Sequence, residues 1–282
     1  MALWPHENKE YQMKLKALVA ALGLSTVAVA AQGAVLQQFT VEESAISGTP
    51  SNQVTADQIT IRYEASIVQV LDAGTGVTSF TETGWFDATG LVLGNTAQSS
   101  YLNSPEASGY GMYGLFSVSG TISFVGTTAL ATFTSGSVAL YADPTQDTVL
   151  SVVAGGTPSV NDVSGNDGIL ASSSQVLGGS QANVPLVGNQ AASGGSYVIN
   201  YGDLLLSALG ESYFIDPINF YLNVVVTGEN ESFTPVLTAG NYTGLAQGDG
   251  SAGFYSVPEP ASMTLLGLGL LGLGATVRRR RG

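Results

Sequence analysis

The sequence predicts an all-β fold, an antiparallel β-sandwich of jelly-roll or immunoglobulin-like type, over residues 34–238. Two observations predict it. Short runs rich in Val, Ile, Thr and aromatic residues recur along this region, separated by Gly, Asn, Asp or Pro. In the clearest run, Gln58–Ile67, apolar and polar residues alternate strictly, which places one face of a strand against a core. Helical character is limited to Asp203–Gly210, with Asp203 as a candidate N-cap and Gly210 as a stop.

Further strands are predicted in chain order by the same criteria. They are 35–41, 77–86, 113–118, 121–125, 129–134, 138–141, 149–153, 197–201 and 220–226. Ser119-Gly120, Gly126-Thr127 and Ser135-Gly136 are predicted turns between successive strands. Such short connections favour a consecutive antiparallel meander. The spatial order of the strands does not follow from these patterns.

Two segments rich in Gly, Ser, Asn and Ala interrupt this pattern. Residues 154–196 are predicted to be a long loop excursion from the sandwich, and the alternative is a linker between two sub-domains. Residues 239–256 are predicted to be a flexible linker that lets the folded domain stand away from the C-terminal segment of the chain.

The beginning of the chain has the features of a secretory signal peptide over residues 13–33, preceded by a polar upstream extension, residues 1–12. Lys14 and Lys16 give a positive start, an apolar helical run follows to Val29, and Ala28 and Ala30 form a small-x-small cleavage site. The alternative is a second membrane anchor, but the run is short and alanine-rich. We therefore expect cleavage by signal peptidase and a mature chain that begins near residue 31 or 34.

Residues 257–282 form a three-part tail. It starts with Val257, Pro258, Glu259 and Pro260, continues as the apolar run 261–277, and ends in Arg278, Arg279, Arg280 and Arg281. As a helix the apolar run would extend about 25 Å, enough to cross a bilayer's hydrocarbon core. The arginines would hold its far end in the cytoplasm, so the preceding chain lies outside.

This tail resembles the PEP-CTERM sorting signal of exopolysaccharide-producing Gram-negative bacteria. The resemblance implies that an exosortase cuts near Pro258-Glu259-Pro260, after an intermediate stage anchored in the inner membrane. The product would reach the cell surface or the extracellular matrix. The alternative is an uncleaved single-span anchor, which has no need of the two prolines. A processing enzyme that binds an extended, helix-free substrate does need them, because proline blocks helix entry.

The side chains available outside the two targeting ends exclude most catalytic classes. That part of the chain has one basic residue, Arg62, against eighteen acidic ones, a formal charge of −17. It lacks the basic surface needed to bind nucleic acid phosphates. The chain has no cysteine, and its one histidine is His6, upstream of the signal peptide. Neither a catalytic triad nor a thiolate nucleophile is available, so we expect no enzyme, with paired-carboxylate glycan cleavage as the exception left open.

Candidate binding residues are few, and no cofactor is firmly predicted. Asp162, Asn166 and Asp167 lie among glycines and could offer oxygens to Ca²⁺, although the spacing departs from that of an EF-hand. A solvated turn is the alternative. Tyr110 and Tyr113, set among glycines, are candidate contacts for sugar rings.

Four further strings resemble the flocculation-associated branch of PEP-CTERM proteins. They are Phe39–Ser44, Thr55–Thr60, Tyr113–Phe116 and Leu140–Pro144. The resemblance implies a matrix protein that aggregates cells with exopolysaccharide. The alternatives are a secreted glycan-binding module and a carboxylate-dependent polysaccharide-degrading enzyme.

Overall fold

The computed structural model describes residues 37–106, 108–187, 190–191, 195–217, 222–230 and 240–256. This part of the chain is all-β and antiparallel, as predicted. The strands are β1 Phe39–Glu42, β2 Gln53–Ala56, β3 Gln58–Leu71, β4 Thr78–Leu93, β5 Thr96–Ala97, β6 Gly111–Val125, β7 Thr128–Asp143, β8 Val149–Ser151, β9 Ser159–Asn161, β10 Gly168–Ser173, β11 Gln175–Val176, β12 Gln181–Val187, β13 Gln190–Ala191, β14 Gly195–Gly202, β15 Leu205–Leu206, β16 Phe214–Asp216, β17 Leu222–Asn230 and β18 Gly240–Ser256. A 3-10 turn spans Glu43–Ala45, and helix α1 spans Ala208–Tyr213.

The long strands pair in a closed ring. The hydrogen-bonded order is β12-β14-β17-β18-β3-β4-β6-β7, and β7 pairs again with β12. β10 extends from β7, and β15 pairs with β10. β16-β1-β2 form a small separate sheet, and β8-β9 form a hairpin. Opposite walls of the ring face each other across one interior, which gives a sandwich-like arrangement.

The two ends of the ring differ. At the first, which we call the exit end, β3 begins at Gln58 and β18 ends at Ser256. The N-terminal segment joins there, because the Gln37 backbone N donates to the Phe254 carbonyl at 2.7 Å. At the other, the tip end, the β3–β4 and β6–β7 connections turn back. The N-terminal segment at Gln37 and the end of β18 at Ser256, which lead to the two predicted targeting segments, thus both lie at the exit end.

Side chains alternate between the interior and the outer face, as the strand period requires. Met112, Val118 and Ile122 of β6 are buried in the core. Gly114 shares their side of β6, and the Phe86 ring occupies the place of its missing side chain. At the exit end, Phe39, Phe214 and Phe254 pack edge to face, with ring centroids 4.9–6.1 Å apart. The core is therefore continuous from the ring to the small sheet.

Several sequence-based boundaries are corrected by the strands. The predicted strand at 58–67 is confirmed and extends to Leu71. Ser119-Gly120 and Ser135-Gly136 are not turns. They lie within β6 and β7, where a register shift between Ser119 and Gly120 absorbs the irregularity. The Gly126-Thr127 turn is confirmed by its place between these strands.

The predicted loop excursion 154–196 is wrong. Residues 159–161, 168–173, 175–176, 181–187 and 190–191 form strands, and β14 begins at Gly195. β12 closes the ring by pairing with both β14 and β7. The composition of 154–196 is poor in strand-forming residues. The neighbouring strands β14 and β7 nevertheless supply backbone hydrogen-bond partners to β12, and this tertiary context overrides intrinsic preference.

The predicted flexible linker 239–256 is also wrong, and the folded domain does not end at residue 238. Residues 240–256 form β18, which pairs with β3 over Gly240–Gly253 and with β17 over Gly250–Ser256. Gly228 and Gly250 lie under the Tyr197 side chain, where a Cβ atom would meet the tyrosine hydroxyl. Glycine at these two positions, Gly228 on β17 and Gly250 on β18, thus makes room for a large ring.

The predicted helix at 203–210 is displaced toward the C-terminus. Ser207 is the N-cap of α1, and its hydroxyl accepts a hydrogen bond from the Gly210 backbone N at 3.0 Å. Gly210 lies inside the helix because it packs directly against the Leu170 carbonyl. Among the described residues, no helix has the length and apolar character needed to span a membrane. The predicted signal helix in 13–33 and the predicted transmembrane helix 261–277 lie outside these residues.

Candidate functional site

An open groove of about 1030 Å³ lies on the outer face of the ring. Its floor is built by β4, β6 and β7. Thr83, Ser117 and Ser137 are register partners across these three strands, so their hydroxyls share one face. The adjacent row contributes Leu115 and Ala139. The floor therefore combines a line of hydroxyls with a narrow apolar strip.

The walls of the groove come from the predicted loop 154–196 and from the start of the predicted helix 203–210. Thr157 and Pro158, between β8 and β9, form one side, and 172–175 with 203–205 form the other. Two hydrogen bonds hold the β8–β9 connection on the ring. The Gly155 backbone N donates to Ser66 Oγ at 2.8 Å, and Thr83 Oγ1 donates to the Gly156 carbonyl at 3.3 Å. The groove is thus a fixed feature of the outer face.

The chemistry of the groove is that of hydroxyls and amides. Serine and threonine hydroxyls both donate and accept, and Gln175 adds an amide. Asp203 is the one carboxylate among its described lining residues, and no basic side chain is among them. Arg62 lies elsewhere, in a salt bridge with Asp87 at 3.0 Å. A neutral polyhydroxylated ligand is the class whose hydrogen bonds this lining can match.

The predicted calcium residues do come together, but their oxygens serve the protein itself. Asp162 Oδ1 accepts from the Gly165 backbone N at 2.7 Å, and its Oδ2 accepts from the Asp167 backbone N at 3.2 Å. Asn166 Oδ1 accepts from Thr145 Oγ1 at 3.3 Å. Within the described ranges, no three or more His, Cys, Asp or Glu side chains converge to hold a metal ion.

Asp167 is the most enclosed of these carboxylates. Its Oδ2 accepts from Tyr113 Oη at 2.8 Å and from Thr148 Oγ1 at 2.7 Å, whereas its buried Oδ1 has no partner among the described residues. Burial raises the pKa of Asp167, although both hydrogen bonds act in the opposite direction. The arrangement joins loop 161–168 to β6 and is structural in character.

The two tyrosines predicted as sugar contacts are buried. Tyr110 has no exposed surface and Tyr113 is 5% exposed. Tyr113 stacks on Tyr141 with centroids 5.1 Å apart. Neither ring offers a free face to a saccharide, so the prediction is wrong for both. Glycine neighbours do not indicate exposure here, because the missing side chain of Gly114 leaves room for the Phe86 ring.

Tyr110 belongs to a buried network around Glu43 at the exit end. Glu43 Oε1 accepts from Tyr110 Oη at 3.1 Å and from the Tyr101 backbone N at 3.0 Å, and Ser100 Oγ also donates to it. Asn52 Nδ2 donates to Oε2 at 2.6 Å. This carboxylate ties the 3-10 turn to the segment 99–110.

A second carboxylate, Glu82, lies on the interior side of β4. It lines a small cavity of about 40 Å³ together with Tyr63, Tyr197, Tyr201 and Phe116. Removal from water raises the pKa of Glu82 to about 7. Sequence reasoning missed this residue and Glu43. For Glu82 a signal existed, because it has the same strand parity as the interior residues Phe80 and Phe86.

The targeting residues Ala28 and Ala30, the motif residues 257–260 and the arginines 278–281 all lie outside the described residues. A family model described as the PEP-CTERM protein-sorting motif matches residues 256–281. No curated protein and no solved structure matches the chain. The matched segment begins at the last residue of β18, so the motif follows directly on the folded domain. The chain therefore carries a PEP-CTERM protein-sorting motif, which indicates an exported protein sorted by an exosortase.

Proposed function

We propose that this is a non-enzymatic protein of the cell surface or extracellular matrix that promotes floc or biofilm aggregation by binding exopolysaccharide. The sorting motif at residues 256–281 is the observation that carries the proposal, because it delivers the domain to the place where that polymer accumulates. Signal peptidase and exosortase are its processing partners. The host in this proposal is a Gram-negative bacterium, with the inner membrane holding the intermediate.

The outer groove is the proposed polysaccharide site. A row of hydroxyls on Thr83, Ser117 and Ser137 beside an apolar strip suits the mixed polar and apolar faces of a sugar chain. This supports binding through hydrogen bonds in place of the aromatic stacking that the buried Tyr110 and Tyr113 cannot supply. Glycan binding, which the sequence analysis gave as an alternative function, is thus proposed as the way in which the matrix protein acts.

Divalent cations are a proposed second contribution. The exported region carries a formal charge of −17, so it would attract a diffuse population of Ca²⁺ and share it with acidic polysaccharide. This requires no specific calcium site. A chelator should therefore loosen flocs. Flocs that resist a chelator would contradict cation bridging, but they would not contradict polysaccharide binding in the groove.

The non-enzymatic character is supported by the composition of the groove. Glycan hydrolysis by paired carboxylates needs two carboxyl groups about 5–9 Å apart. Asp203 is the single carboxylate among the described residues of the groove. Release of reducing ends from the cells' own polysaccharide by the purified protein would overturn this part of the proposal.

The test is complementation of a deletion strain with two matched variants. Ser117→Tyr fills the groove floor, and Thr121→Tyr places the same ring on an exposed outer-face position of β6 outside the groove. We expect Ser117→Tyr to abolish floc formation and Thr121→Tyr to restore it, with equal surface levels and unchanged polysaccharide secretion in both. Restoration by both variants would show that the groove is not the binding site.

A further inference from the structure

The sorting motif is attached to a rigid strand. β18 pairs with β17 up to Ser256, opposite Leu222, and with β3 up to Gly253, opposite Gln58. Residues 257–260 can span at most about 14 Å even when fully extended. The apolar segment predicted at 261–277 therefore begins a few residues from the folded domain.

Phe254 is a strongly held residue of β18 close to the motif. It is 2% exposed, and its ring packs against Phe39 at 4.9 Å and Phe214 at 5.8 Å between centroids. Its carbonyl accepts the hydrogen bond from the Gln37 backbone N. Tyr255 and Ser256 extend beyond this cluster, past the end of the β3 ladder, and pair with β17. Fraying of the strand end would thus stop at Phe254, because going further exposes an aromatic core.

We infer that Phe254 is the fixed point from which the folded domain presents the sorting motif. The short distance between the folded domain and the motif then limits the rate of exosortase processing. The inference rests on the proposed processing at Pro258-Glu259-Pro260. A processing enzyme binds extended residues on both sides of the bond it cuts, and β18 ends at Ser256, only two residues before Pro258. The competent state requires opening of the strand end, so the closed population lowers the apparent rate.

The same geometry makes the exit end the surface that the membrane-embedded enzyme approaches. Gln37 and Ser256 both lie there, so the segments leading to the two cleavage sites leave from one end of the ring. The tip end then points away from the membrane during the anchored stage. Folding of the ring is compatible with both tethers still being attached.

The experiment is a spacer series in the full chain, expressed with its exosortase. A six-residue Gly-Ser spacer is inserted between Ser256 and Val257, and the matched control carries the same spacer between Gly126 and Thr127 at the tip end. Pulse-chase labelling measures the rate of processing. We expect the first insertion to raise the rate by about threefold or more, because the enzyme no longer needs to open β18. The control should match the parent.

The outcomes separate the inference from the proposed function. An equal or lower rate with the Ser256 spacer overturns the inference alone. If Pro258→Ala or Glu259→Ala is processed as the parent is, the proposed processing is overturned, and the inference with it. Amide hydrogen exchange on the detergent-solubilised full chain gives a readout without the enzyme. We expect residues 251–254 to be protected as strongly as β3, and rapid exchange there would also overturn the inference.

Discussion

Among the described residues, Glu43 and Glu82 both point their carboxylates inward, and the two are held in opposite ways. Glu43 is fully buried and accepts hydrogen bonds from a backbone N–H, two hydroxyls and a side-chain amide. Glu82 faces tyrosine and phenylalanine rings, and no hydrogen bond to its carboxylate is present among the described residues. The first is a structural anchor, and the second is a site at which protonation and stability are coupled.

The difference shows that burial alone does not determine what an interior charge does. Donors stabilise an ionised carboxylate and offset the loss of water, whereas apolar surroundings favour the neutral acid. In Glu42, next to Glu43 in sequence, the Ser44 hydroxyl is the largest cause that lowers the pKa to about 2. The number and direction of donors therefore separate three glutamates that look alike in the sequence.

The largest expected effect is that of Glu43→Ala. The substitution leaves the Tyr110 and Ser100 hydroxyls, the Tyr101 backbone N and the Asn52 amide without their acceptor in a closed site. We expect the free energy of unfolding to fall by about 3–5 kcal/mol, measured by urea denaturation followed by circular dichroism. The matched control is Glu106→Ala at an exposed position, which should change it by less than about 0.5 kcal/mol. Equal losses in the two variants would contradict an anchoring role.

The second effect concerns Glu82→Gln and depends on pH. The pKa of Glu82 is raised from 4.5 to about 7 in the folded state. Between these values the unfolded chain releases a proton that the folded protein retains, so the parent loses stability as pH rises from about 4.5 to 7. The Tyr197 and Tyr201 rings that face the carboxyl do not titrate there, since burial raises the pKa of both above the ordinary value.

Glutamine carries no charge at any pH, so it removes this dependence. We expect Glu82→Gln to match the parent near pH 4.5 and to exceed its free energy of unfolding by up to about 3 kcal/mol at pH 8. The measurement is a series of urea denaturation curves from pH 4.5 to pH 8 for both proteins. Curves that stay parallel over the whole range would show that Glu82 does not titrate within it.

Sequence patterns predicted the fold where strands alternate strictly. The run at 58–67 was correct because β3 has one face in the core, so its period of two is visible. β18 was missed because its residues are small. Its place between β17 and β3 depends on the backbone hydrogen bonds that it makes with those two strands. The closing pair β12–β7 joins residues far apart along the chain, which no local pattern can reveal.

The functional residues likewise divide into those that a local sequence pattern predicts and those that only the pairing of strands brings together. The sorting motif at 256–281 was predictable because it is read as a linear string. The groove was not, because Thr83, Ser117 and Ser137 meet through the register of three strands and are separated in sequence. Tyr110 and Tyr113 were misjudged because neighbouring glycines do not distinguish an exposed ring from one packed against backbone.

The smallest effects compare the hydroxyls of these two tyrosines. Tyr110 Oη donates to Glu43 and lies 2.6 Å from Tyr213 Oη, so Tyr110→Phe breaks a bridge with two partners. We expect a loss of about 1–2 kcal/mol in the free energy of unfolding. Tyr113→Phe removes one donor from Asp167, which keeps Thr148, so the loss should be about 1 kcal/mol or less. Polysaccharide binding, measured by co-sedimentation, should be unchanged in both variants, because both rings are buried. A Tyr113→Phe variant that keeps its stability but loses binding would restore this tyrosine as a sugar contact and move the binding site from the groove.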